Sequence, residues 1–135
     1  MTLVPTERTH FDLCPPVRGF RVKTTAIWVL RILLGAAFLM AAYMKLSSNP
    51  MMVAEFDTVG LGQWFRYVTG LLELAGGIAI LIPATSVIGA GILLCVDAGA
   101  FVAQVFVLHM DWIHTIVIGA LLVLTIWLQT GNRVR

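Results

Sequence analysis

The chain has 135 residues, 59% of them hydrophobic beside 12 glycines, with only 12% charged and a formal net charge of +2. Globular domains hold roughly 45–50% apolar residues with glycine counted, and about 25% charged ones. A small soluble domain is mostly surface and could not hide this much apolar side chain. The same figures exclude disorder, collagen, coiled coil, a disulfide scaffold and a nucleic-acid surface, and leave an integral membrane protein.

Residues 1–24, with Pro5, Pro15 and Pro16 among several charges, read as an extended, partly disordered tail. A membrane-crossing helix needs about 20 mostly apolar residues. Four windows supply them, at 25–44, 64–82, 86–108 and 112–129. Gly, Ala, Leu, Ile and Val occur at even density without alternation, which predicts an all-α, four-helix membrane domain over 25–129. The first window exceeds the ~7–15-residue apolar core of a signal peptide and follows a longer tail, so it reads as an uncleaved anchor. After it, Asn49 can cap a helix that starts at Pro50 and stops at Gly60. Met52, Val53, Phe56 and Val59 then share one face, with Glu55 and Thr58 pointing elsewhere. That is a short amphipathic helix in the first outer loop, either a lid over the bundle or a loop anchored to lipid. The uncharged turn Pro83-Ala84-Thr85-Ser86 makes the second and third spans antiparallel neighbours, and 130–135 is a short polar end.

Lysine and arginine set the orientation. Arg8, Arg18, Arg21 and Lys23 precede the first span and Arg133 and Arg135 follow the last, whereas the first loop and the entry to the second span have only Lys45 and Arg66. An even number of spans then places both termini in the cytoplasm and the protein in the inner (plasma) membrane. Trp28 and Trp127 fall near the inner ends of their spans, Trp64 and Trp112 near the outer ends, where indoles favour the headgroup level.

Polar groups at membrane depth need a partner or a task. Arg31, Glu73, Asp97 and Gln104 fall inside spans. At about 1.5 Å per residue, Glu73 and Asp97 lie at one level near the midplane, with Arg31 nearer the inner boundary. Heptad spacing puts Arg31, Phe38 and Lys45 on one stripe, Arg66 and Glu73 on a second, and Asp97 and Gln104 on a third, beside small residues such as Gly77, Gly91 and Ala98. The expectation is a shared centre in which Arg31 faces both acids, with Lys45 and His114 as further ligand or proton-site candidates. The alternative is that these residues are structural glue between three helices. His109, Asp111 and His114 match no metal signature. Cys14 and Cys95 form no Cys-x-x-Cys motif, and Cys95 reads as an inert core thiol.

From Leu30 onward, LRILLGAAFLMAAYMKL, then AEFDTVGLG, then GLLELAGGIAIL, followed by two more apolar helices, resembles the DoxX and DoxX-like family of small four-helix bacterial membrane proteins. The order Arg31, Lys45, Phe56, Glu73 carries that resemblance. It implies a membrane subunit associated with redox chemistry, since relatives include the small subunit of thiosulfate:quinone oxidoreductases and proteins linked to thiol-oxidant or quinone stress. On this reading the chain binds a quinone-like or other small lipophilic ligand, and an oxidoreductase partner protein supplies electrons. It is not a self-sufficient enzyme, having no haem-type ligand pair, iron–sulfur cysteines or nucleotide motif. A proton or small-solute transporter, built as a homo-oligomer, and a non-catalytic assembly factor are the alternatives.

Overall fold

The computed structural model describes residues 18–133. Helix α1 (Arg18–Leu46) is followed by the short α2 (Pro50–Val59), then α3 (Gln63–Leu81), α4 (Ser86–Ala103) and α5 (Ile113–Arg133). Four of these elements are long and apolar enough to cross a membrane. The start of α1 lies inside the segment expected to be extended. Beyond Pro16 no proline interrupts the chain until Pro50, so the helix nucleated by the apolar run extends back into the charged residues. The rest of the expected tail, 1–17, lies outside the described residues. At the other end, α5 runs on through most of the segment read as a polar end.

The helices pack in sequence, α1 on α3, α3 on α4 and α4 on α5, and α5 touches α1 to close the ring. Leu34, Phe38, Ile80, Ala90, Leu93 and Leu122 fill the middle. Glycines decide where the ring is tight. A Cβ on Gly35 would meet the Leu81 side chain at 2.8 Å and the Gly77 carbonyl at 3.4 Å, so α1 and α3 cross nearly backbone to backbone. A Cβ on Gly89 would come within 2.6 Å of the Ile80 amide nitrogen, which brings α4 equally close to α3. Both crossings lie toward the Pro83 turn. Gly91, expected to serve the same purpose, has nothing within 4 Å of its Cβ position, and neither has Gly99. Beyond their crossing, α3 and α4 splay apart around a cavity that Leu72 and Glu73 line from one side and Val96 and Gly99 from the other.

Helix α2 follows its sequence signals. The Asn49 side chain accepts the Met51 amide at 3.0 Å, Pro50 occupies the first turn, and Gly60 ends the helix at φ 78°. Met52, Val53, Phe56 and Val59 are half-buried toward the bundle, while Met51, Ala54, Asp57 and Thr58 are exposed. The third span departs from the expected regular helix. After Ala103 it continues as a π-helical turn, Gln104–Leu108, and His109 follows in the left-handed region at φ 49°.

A candidate ligand cavity at the splayed end

The splay of α3 and α4 opens a cavity of about 900 Å³, roofed by α2 and closed at one end by the π-helical turn. Its wall is mostly apolar, from Met44, Phe65, Leu72, Val96 and Ala100. Lys45, Glu73, Gln104 and His114 line it as well, together with Glu55 and Cys95.

Lys45 Nζ donates to both oxygens of Glu73, at 2.7 and 2.8 Å. The side chains are 16% and 6% exposed, so the ammonium and the carboxylate neutralise each other largely out of solvent. Gly70, almost one turn before Glu73, makes room for this pair, because a Cβ there would lie 3.2 Å from Lys45 Cβ.

Arg31 takes no part in it. Its Nε donates to the Ile80 carbonyl at 2.7 Å, its Nη2 to the Leu81 carbonyl at 2.6 Å, and its guanidinium lies 4.6 Å from the Trp28 ring centroid. Arg31 thus caps the last carbonyls of α3, where a cation also complements the helix dipole. The expected meeting of Arg31 with Glu73 and Asp97 is corrected by the register of α1 and α3. With Gly35 opposite Gly77, Arg31 falls at the level of Leu81, about 12 Å along the axis from Glu73 at ~1.5 Å per residue. Lys45, by the same register, falls within reach of it.

A reciprocal cap closes the other end of the same helix pair. Arg66, 2% exposed, donates from Nη1 to the Lys45 carbonyl, from Nε to Gln63 Oε1 at 2.7 Å and from Nη2 to Ser48 Oγ at 3.2 Å. Its guanidinium also sits 4.4 Å from the Tyr67 ring centroid. Each helix therefore supplies an arginine that ends the other. The sequence marked Arg66 only as a stripe position and an orientation charge.

Asp97 points elsewhere. It is 9% exposed and lines a smaller cleft of about 330 Å³ between α4 and α5, where a Cβ on Gly119 would meet its Oδ2 at 2.8 Å. It lines that cleft and not the cavity. Its depth matches that of Glu73, but the rotation of α4 turns it toward α5.

Gln104 joins the end of α4 to the start of α5. Its backbone carbonyl accepts the amides of His109 and Met110, its Oε1 accepts the Thr115 hydroxyl, and its Nε2 lies 3.2 Å from His114 Nε2. Thr115, absent from the sequence-based candidates, is 3% exposed. Neither it nor Glu55 carries a sequence signal beyond its own polarity. Glu55 was expected to point away from the helix's buried face and is instead half-buried on the roof. Cys95 is exposed along the cavity wall, which corrects its reading as a core thiol. Asp111 Oδ1 accepts the Ile113 amide at 3.0 Å at the entry to α5.

No curated protein and no solved structure matches this chain. The profile of the DoxX-like family matches residues 29–128, a stretch that contains Arg31, Lys45, Glu73, Asp97 and every residue that lines the cavity. On that match, with four candidate membrane spans in place, the chain belongs to the DoxX-like family.

Proposed function

We propose that this protein holds a small lipophilic molecule of the quinone type in the cavity between α3 and α4, and serves as the membrane subunit of an oxidoreductase whose partner protein supplies the electrons. The observation that carries this reading is the cavity itself. A mostly apolar volume of about 900 Å³ falls within the size range of ligand pockets, roughly 300–1,000 Å³, and such pockets place a few polar groups on an apolar wall. Here those groups are the Lys45–Glu73 pair and the Gln104–His114 contact. The reactive ring of a quinone requires hydrogen-bond donors at its oxygens and a group able to pass a proton on reduction. Lys45 and His114 are of the first kind, Glu73 and His114 of the second. In this reading the protein crosses the inner (plasma) membrane with both termini in the cytoplasm, as the lysine and arginine distribution predicts.

Native mass spectrometry of protein taken from its membrane into lipid discs tests the cavity directly. A quinone-type adduct is expected on the wild-type chain. Gly99→Phe should remove it, since nothing lies within 4 Å of the Gly99 Cβ position and Gly99 lines the cavity. Loss of the adduct with an unchanged melting temperature supports the reading; no adduct, or one indifferent to Gly99→Phe, counts against it. In membranes that contain the partner, Glu73→Gln at normal protein level should lower quinone-dependent activity, whereas a proton leak in proteoliposomes of the protein alone would favour transport.

A further inference from the structure

The hydrogen bonds around Gln104 have a direction. Thr115 Oγ1 donates to Gln104 Oε1, so the oxygen of that amide is committed to α5. The backbone carbonyl of the same residue is held by the amides of His109 and Met110, which anchors the side chain where the π-helical turn meets the following loop. The amide nitrogen, a donor only, then faces His114 Nε2 at 3.2 Å. A nitrogen that receives this donor must be the unprotonated one, and in a neutral imidazole the proton then resides on Nδ1.

We propose that Thr115 and Gln104 fix the tautomer of His114 so that Nδ1–H is the hydrogen-bond donor for a carbonyl-type acceptor on the molecule in the cavity. The inference rests on the cavity reading above and assigns it a polarity: His114 gives a hydrogen bond and the ligand accepts it. Thr115 faces the Asp97 cleft rather than the cavity and touches no ligand, so it is a positioning residue that acts through Gln104. The turn of π-helix has a purpose on this account. It ends α4 with Gln104 turned to meet both Thr115 and His114, at the kind of local distortion that recurs at functional sites.

Nitrogen-15 NMR of histidine-labelled protein in lipid discs tests the tautomer without any ligand, the His114 signals being assigned by their loss in His114→Phe. The expected result is a ring with its proton on Nδ1 rather than Nε2, a mixture of tautomers in Thr115→Val, and restoration in Thr115→Ser. A wild-type ring protonated on Nε2 would mean that the amide runs the other way, and would overturn the proposal. Binding of 2-decyl-1,4-benzoquinone, with decylbenzene as the probe that lacks an acceptor, tests the ligand's part. Thr115→Val should weaken the quinone by about 10-fold, the order of one neutral hydrogen bond, and leave decylbenzene unchanged. Equal loss for both probes would mark a packing defect and sink the inference. Quinone bound with full affinity by His114→Phe would sink it too, while the cavity reading stands. Binding of neither probe would remove the cavity reading, and the inference with it.

Discussion

The two ends of the bundle use similar polar residues to opposite effect. At the Pro83 end, Arg31 is spent on two backbone carbonyls, Ser86 donates to Gln129, and the glycine crossings bring α1, α3 and α4 into near-backbone contact. At the α2 end, Arg66 makes an equivalent cap, yet Lys45, Glu73, Gln104 and His114 remain on the wall of an open volume. The difference lies in the small residues. Where glycine meets glycine the helices close, and Arg31 has only the backbone of α3 to bind. Where Gly99 meets nothing and lines the cavity, the helices part and side chains bind one another across a space.

The largest expected effect falls on the pair at the open end. Lys45→Met leaves Glu73 without a counter-charge and should destabilise the bundle by about 3–5 kcal/mol in detergent melting. Adding Glu73→Gln should recover most of that loss. At the closed end the same logic should fail: Arg31→Met removes two donors from carbonyls, costs about 2 kcal/mol, and gains nothing from Glu73→Gln. Recovery of Arg31→Met by Glu73→Gln would show that the two ends share one charge network, and the contrast would collapse.

A comparable loss separates the glycines. Gly89→Ala places a Cβ 2.6 Å from the backbone of Ile80 and should cost about 1–3 kcal/mol. Gly99→Ala, with nothing near it, should stay within about 0.5 kcal/mol. Equal melting temperatures for the two would refute the splay of α3 and α4. The most local loss is that of Asn49→Ala, which removes the cap of α2 and should cost about 1 kcal/mol of that helix alone. Hydrogen exchange should rise over Pro50–Val59 and remain unchanged at the Gly35–Gly77 crossing.

Depth and element type were legible in the sequence because both are properties of one helix at a time. Asn49, Pro50 and Gly60 announce α2 through local capping chemistry, and the apolar runs announce the long helices. Register and rotation belong to pairs of helices, and there the one-dimensional pattern fell short. Heptad spacing put Arg31 and Lys45 on one stripe, but only the Gly35–Gly77 crossing decides that Lys45 rather than Arg31 reaches Glu73. Likewise, counting from the Pro83 turn placed Asp97 level with Glu73 without revealing that it turns to Gly119. Among the sequence candidates, Lys45, Glu73, Gln104 and His114 share the cavity, and Arg31 and Asp97 do not. Thr115 had no signal at all, since its role exists only through the partner that Gln104 becomes once the π-helical turn has formed.

The exchange of arginines between α1 and α3 limits how the protein can move. Sliding one of these rods along the other by a single turn, about 5.4 Å, would pull both guanidinium groups off their carbonyls at once. Axial piston motion is therefore opposed from both ends, and the pair behaves as a fixed post. Among the described residues no arginine cap of this kind ties α4 or α5 to the post, so displacement of the α4–α5 hairpin against it is not opposed in the same way.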